Sequence, residues 1–259
     1  MFAVPVVQQE KFRAFLKTLV DQSILRSYKL ERLEWVRYLA LRSEYYNYRK
    51  GEWSIDWKDV AEAQESPPAP PLSFDPPAYP QIDLTDLLII KELELQATRH
   101  FSDMAKKLKI NDSTVHWHYR THVSHLINSY YVHRLSVGSK QLTKIMGLIY
   151  EFETLSRREI GAVRRLFNNF PFTWNEGGRK DGYYSTVLTI PVEHLNESLR
   201  YLTAQLGKHL TKWTTHTLDL TTSTWYTVPF ENFDNKKGWF FDEEKALRSI
   251  RSVLAEKKA

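Results

Sequence analysis

The sequence predicts an α+β protein: a three-helix helix-turn-helix domain, then a ferredoxin-like (βαββαβ) domain, with half of a second ferredoxin-like repeat in front. Three observations predict it. Residues 82–128 carry three helical patterns, the last two separated by a tight turn. Residues 138–228 alternate strand and helix patterns in the order β-α-β-β-α-β. Residues 12–53 align without a gap on residues 199–240. The segments implied are a partial strand-helix-strand repeat (1–60), a Pro-rich linker (61–80), the helix-turn-helix (81–129), a linking strand (130–137), the ferredoxin-like domain (138–241) and a C-terminal helix (242–259).

Composition bounds the chemistry. The 259 residues suffice for about two domains, and 42% apolar with 14% aromatic residues can build real cores. Lys and Arg exceed Asp and Glu by 36 to 31, giving +5. That excess permits a polyanion partner without establishing one. With no cysteine, disulfides, thiolate catalysis and Cys-based zinc or iron–sulfur sites are excluded. No apolar run approaches the ~20 residues of a membrane span, and Lys11 and Arg13 interrupt the only leader-like stretch, so a cytoplasmic protein away from membranes is expected.

The N-terminal segment is read through its repeat. Phe12, Phe15 and Leu19 meet Leu199, Leu202 and Leu206, and Tyr38 meets Trp225. Glu44–Gly51 lies over Glu231–Gly238, and with one residue of slippage Val4-Pro5-Val6 answers Ile190-Pro191-Val192. This copy holds only a last strand, helix and strand. Its completion is expected either from sequence upstream of Met1 or from another chain. Seven of the eleven prolines then fall between Pro67 and Pro80, which disfavours helix and sets an extended linker.

In the next segment Asp83 sits at an N-cap, and Leu84, Leu87, Leu88, Ile90 and Leu93 follow at helical spacing. Ser102 is expected to cap a second helix, Asp103–Leu108, and Asn111 a third that runs to about Asn128. Ala105 supplies the small residue that two crossing helices need, and Val115, ten residues on, locks the third helix onto the others. Tyr130–Ser136 reads as the linking strand.

The plait follows. Ile145–Phe152 is a strand; Ser156 and Glu159 make a capping box for a helix carrying Ile160, Val163, Leu166 and Phe167. Phe172-Thr173-Trp174 opens a strand that turns through Gly177-Gly178 and Asp181-Gly182. Tyr183–Ile190, the helix bearing Leu195, Leu199, Leu202 and Leu206, and Thr-rich Thr214–Val228 complete the order. Asp242–Lys258 is an amphipathic helix with Leu247, Ile250 and Leu254 inward.

The run IDLTDLLIIKELELQATRHFSDMAKKLKINDSTV resembles the opening of the Lrp/AsnC family of prokaryotic, archaeal-type transcriptional regulators, with its Asp-x-x-Asp start, Ile-Leu-rich first helix and an Arg before the second. The domain order is similar too, and the resemblance covers roughly residues 81–228. It implies sequence-specific binding of double-stranded DNA by a dimer or higher oligomer whose ferredoxin-like domains pair edge to edge. Where the family usually has a turn glycine this chain has Lys109, and Gly182-Tyr183-Tyr184 lacks the acid that usually follows Gly-Tyr. A small-molecule effector therefore stays open, with no residue to support it.

A recognition helix lies in the major groove with its N-terminal residues toward base edges. With Val115 inward, the 100° helical step turns His118, Tyr119, His122 and Leu126 inward and leaves Ser113, Thr114, His116, Trp117 and Arg120 outside. Arg120 suits guanine or phosphate, Ser113 and Thr114 suit phosphate, and Trp117 suits a sugar or thymine methyl. Lys106, Lys107 and Lys109 are expected on phosphates; between Arg99 and Arg134 six basic residues face two acids, and the first helix carries most of the domain's acids, facing away. His118, His122 and His125 share a helical face, but no Cys and no obvious carboxylate completes a metal site, so they are expected to be structural. No catalytic residue, cofactor or metal is expected. Two alternatives stay open: an enzyme of tetrapyrrole processing (a decarboxylase, which similar chains include) and a sensor or scaffold that does not bind DNA.

Overall fold

Helical and alternating patterns settle into an ordered series in the computed structural model, which describes residues 6–39, 41–63, 81–127, 145–220 and 228–256. Most of the Pro-rich linker, the linking strand at 130–137, Arg134 and the second half of the Thr-rich strand lie outside the described residues. In chain order the elements are α1 (Gln9–Asp21), β1 (Trp35–Tyr38), β2 (Tyr46–Asn47), β3 (Glu52–Trp53), α2 (Trp57–Glu62), α3 (Leu84–Leu95), α4 (Phe101–Leu108) and α5 (Asp112–Thr121). They continue with β4 (Ile145–Phe152), α6 (Arg157–Asn169), β5 (Thr173–Gly178), β6 (Tyr184–Pro191), α7 (Leu195–Leu206), β7 (Thr214–Leu218), β8 (Phe233–Asp234), β9 (Gly238–Trp239) and α8 (Glu243–Glu256). No helix among the described residues is long and apolar enough to cross a membrane. The chain divides into two units: Met1–Leu30, Pro77–Tyr130 and Trp225–Ala259 in one, Glu31–Pro76 and Tyr131–Thr224 in the other.

The second of these units is built on a five-stranded antiparallel sheet, ordered β1-β5-β6-β4-β7, with α6 and α7 as crossovers and the small β2-β3 hairpin beside it in sequence. The four strands after residue 144 thus have the βαββαβ plait order. Alternation decides the faces: along β6 the residues from Tyr184 to Ile190 are buried at every second position, as a half-buried strand requires. That side joins Leu148, Tyr150, Phe152, Val163, Phe167, Leu202 and Leu206 in one core. Ser156 Oγ accepts from Glu159 N–H while the Glu159 carboxylate accepts from Ser156 N–H at 2.7 Å, so the capping box starts α6 where the sequence places it.

The N-terminal repeat behaves differently from a half-plait awaiting another chain. Its helix and its strand fall in different units. Strand β1 pairs antiparallel with β5, Trp35 opposite Gly178 and Tyr38 opposite Asn175, so the outer edge of β5 is filled from within the chain. A buried charge fixes that pairing. Glu176, fully buried on β5, accepts from Arg37 of β1 at 2.6 Å, Arg164 of α6 at 3.2 Å and the Tyr184 hydroxyl at 2.8 Å. Burial, reinforced by the adjacent Glu176, drives the Tyr184 hydroxyl well above the usual tyrosine range. Trp35, Trp53, Ile55 and Trp57 then pack against the plait core.

Helix α1 belongs to the first unit because its apolar stripe, Phe12, Phe15 and Leu19, meets Phe241, Ala246, Leu247 and Ile250. Leu254, expected to face inward, is exposed: the α1 stripe reaches only as far as Ile250. At the aligned positions the two copies share local geometry. Asn47 Oδ1 accepts from the N–H groups of Arg49 and Lys50, and Asp234 Oδ1 from those of Lys236 and Lys237. Gly51 and Gly238 close the two turns at φ +73° and +71°, a region that favours glycine.

Candidate nucleic-acid interface

Helices α3, α4 and α5 build the helix-turn-helix around Ile89, Leu93, Met104, Ala105, Val115 and Val123, with Ile90, Phe101, Leu108, Ile110 and Tyr119 partly buried against them. Val115 is fully buried and Ala105 nearly so, which is the crossing that small-then-branched spacing predicts. The turn is made by Lys109 in the left-handed region, φ 57° and ψ 42°. Ile110 N–H returns to the Ala105 carbonyl at 3.1 Å, and the Ile110 side chain packs inward, as in a Schellman-type helix end. Lysine thus adopts a conformation that costs an L residue about 1–2 kcal/mol.

Two helix ends differ from expectation. Helix α4 starts at Phe101 with His100 at its N-cap, so Ser102 lies inside the first turn and caps nothing. Asn111 is the N-cap of α5 by backbone geometry, without a side-chain hydrogen bond, and α5 ends at Thr121 instead of near Asn128. The cause lies at His122, which leaves helical geometry (φ −121°, ψ −58°) and turns its ring to Asp86 before a short 3-10 turn at Val123–His125.

Along α5 the exposed positions are Asp112, Ser113, His116, Trp117, Arg120 and Thr121, of which Ser113, His116, Trp117 and Arg120 form a stripe at i, i+3, i+4 and i+7; Thr114 is half-buried beside it. Trp117 is 55% exposed, with its ring edge-on to His118 and His122 at 4.9 and 5.0 Å. His116 sits edge-on to Phe101 at 4.6 Å, which ties the stripe to α4. Lys106, Lys109 and Arg120 are exposed and enter none of the ion pairs found among the described residues. Lys107 is placed differently: its ammonium lies 2.7 Å from a Glu92 carboxylate oxygen, and Arg99 binds the same carboxylate.

That carboxylate corrects the expectation that the acids of the first helix face away. Asp86 and Glu92 of α3 are both buried, and each is bound by groups of the second and third helices or their approaches. Glu92 takes Arg99 and Lys107. Asp86 Oδ1 lies 2.7 Å from His118 Nδ1, and Oδ2 lies 3.0 Å from His122 Nδ1. Asp83 and Asp86 also form a reciprocal capping box at the start of α3. A carboxylate therefore does complete the histidine face, contrary to the sequence-based expectation. The signal was present in α3 itself: with apolar residues on every side of that helix, an acid at position 86 has no solvent face to occupy.

No family model matches this chain, and no curated protein sequence matches it. Among solved structures it is similar to E. coli AsnC, at 15% identity and a TM-score of 0.43 over 57% of this chain and 97% of that one. B. subtilis LrpC is 21% identical, with a TM-score of 0.41 over 57% and 99% of the two chains. A Neisseria meningitidis transcriptional regulator in complex with L-Met is 9% identical, with a TM-score of 0.46 over 57% and 96%.

Proposed function

We propose that this chain is a sequence-specific regulator that binds double-stranded DNA as a dimer, entering the major groove with α5. One observation carries this: Val115 is fully buried on the inner side of α5 while Ser113, His116, Trp117 and Arg120 form an unbroken exposed stripe on the other. A helix held from one side only, with its N-terminal half projecting, is the form that fits a groove about 12 Å wide. Lys106 and Lys109 stand on the same motif as phosphate contacts, with Ser113 and Thr114 near the α5 N-terminus, where the helix dipole favours anions. Lys107 contributes through Glu92, holding α4 to α3, more than as a free cation.

The resemblance of residues 81–228 to the Lrp/AsnC family agrees with that reading and adds pairing of the plaits. With β1 on the outside of β5, the two edge strands of the sheet among the described residues are β1 and β7; we assign pairing to β7, the edge that belongs to the plait itself. Two α5 helices would then meet half-sites about one helical turn apart.

The test is selection of fragments from a random double-stranded DNA pool by the purified full chain at two salt concentrations. Enrichment of a two-fold symmetric motif that persists at the higher salt is the expected result. Retention that vanishes with salt and enriches no sequence reduces the protein to a generic polyanion binder, and no retention at low salt rejects DNA binding.

A further inference from the structure

We infer that Asp86, His118 and His122 form a binding site for a single divalent transition-metal ion of the zinc type, at the joint between α3 and α5. The geometry points there through three facts. First, both imidazoles aim the same atom, Nδ1, at one carboxylate. His118 Nδ1 is 2.7 Å from Oδ1, His122 Nδ1 is 3.1 Å from Oδ1 and 3.0 Å from Oδ2, and all three donor atoms lie within 4.8 Å of one another. A four-coordinate zinc ion with bonds near 2.0–2.1 Å holds neighbouring donors about 3.3 Å apart. From 2.7–3.1 Å, the imidazole–carboxylate contacts need lengthen by less than about 1 Å to reach that spacing. Second, two imidazoles and one carboxylate are a donor set suited to Zn(II) and its neighbours in the first transition row.

The third fact is the charge. Asp86 is fully buried, and among the described residues no Lys or Arg reaches it. Burying an ionised carboxylate is costly without an opposing charge. Glu92, the other buried acid of the same helix, shows the usual remedy, with Arg99 and Lys107 both on it. Among the described residues the Asp86 carboxylate has the Asp83 N–H, at 2.8 Å, and the two imidazoles. A divalent ion held by neutral imidazoles supplies the permanent charge that no Lys or Arg among the described residues brings to Asp86. Its fourth position opens toward Asp83, whose Oδ1 is 3.8 Å from His118 Nδ1 and whose side chain is 42% exposed; that carboxylate or a water completes the set.

The ion would bind the first turn of α3 to the last turn of α5 and hold His122 where the helix breaks. Trp117 packs on both histidine rings, so occupancy also fixes the most exposed aromatic of the outer stripe. That consequence, though not the site, rests on the DNA reading: metal-loaded protein should bind its selected duplex more tightly than metal-free protein.

The experiment uses the full chain, stripped with a chelator and titrated with Zn(II) in competition with a chromophoric chelator, then with Co(II) followed by visible absorption. One ion per chain is expected, with the intense d–d bands of four-coordinate cobalt. His122→Gln and His118→Gln should each weaken binding at least tenfold, while His216→Gln, which removes a histidine paired with Glu151 in the other unit, leaves it unchanged. Absence of uptake, or weak octahedral cobalt bands in the wild-type chain, overturns the site even if a variant fails to fold. Equal binding by a folded His122→Gln variant overturns it too. Metal uptake is read without DNA, so its failure leaves the DNA reading standing; a metal-loaded chain that binds no DNA removes that reading and leaves the site.

Discussion

Replacing Arg120 by Ala tests the proposed groove face most directly, because nothing in the fold depends on that side chain. Arg120 is exposed on α5 and enters no ion pair among the described residues, so the thermal midpoint should not move. Three cations of the motif are free to meet phosphate: Lys106, Lys109 and Arg120. If each neutralises one phosphate, log K falls against log salt with a slope of about −2.7 per head, since each contact contributes about −0.9. Removing Arg120 brings the slope to about −1.8 per head and weakens binding roughly 5- to 150-fold. If Arg120 reads guanine instead, the loss appears only on the selected duplex and the slope stays near its starting value. Fluorescence anisotropy of a labelled selected duplex and a scrambled one, across about 50–200 mM salt, separates the two outcomes. A variant that melts like wild type and keeps both affinity and slope on both duplexes refutes the assignment of this face.

Other expectations follow from the same geometry. Lys109→Gly removes a left-handed lysine and should raise stability by about 0.5–1 kcal/mol, the strain relieved less the entropy glycine restores to the unfolded chain; the salt slope should fall by about 0.9 per head, and calorimetry beside anisotropy reads both. Glu92→Gln removes the buried acid that holds Arg99 and Lys107; stability should drop by about 1–3 kcal/mol, less than for a fully enclosed pair because Lys107 is half-exposed. If the released cations face phosphate, the salt slope steepens, and an unchanged slope shows that they do not. Glu159 is held below the usual carboxylate range by its bonds to the Ser156 side chain and backbone. Its contribution is therefore complete above the unfolded value near ~4.3 and lost as pH falls through the lower folded value. Glu159→Gln should flatten that part of the acid limb in thermal melts taken across it, and an unaltered limb counts against the capping box.

Much of the plait was legible because its signals are local. Ser156 and Glu159 announce a helix start, and every second residue of β6 is apolar or aromatic, or small enough to bury. Strand β1 shows why legibility stops. Four residues, Trp35–Tyr38, carry alternation enough to make a strand but nothing to name its partner. The partner is set by Glu176, which Arg37 meets across the whole intervening sequence. The repeat had the same blind spot: alignment of residues 12–53 with 199–240 set Asn47 over Asp234, where the two turns do match, yet it did not show that the first copy's helix and strand would serve different units. Their fates follow from which apolar surface each one meets, Phe241 and Ile250 for α1, the plait core for Trp35.

The exposure of the outer α5 stripe was legible for a different reason than the histidine cluster beneath it was not. On α5 taking Val115 as buried orients the whole helix, with His118 buried on the same side, so the outer residues follow from angular steps alone. On α3 apolar side chains surround the axis, and angular steps cannot say which acid is enclosed. Only contacts supplied by other helices decide, and those contacts make the two buried acids complementary. Glu92 draws in the base of the α4 lysine pair, and Asp86 draws in the end of α5. Together they tie both halves of the motif to one helix through charge, in addition to the apolar packing around Val115 and Ala105. This is why counting Lys and Arg overstated the free positive face. Arg99 and Lys107 are held by an acid that the sequence-based reading placed on the wrong side, and among the described residues of the motif Lys106, Lys109 and Arg120 enter no ion pair.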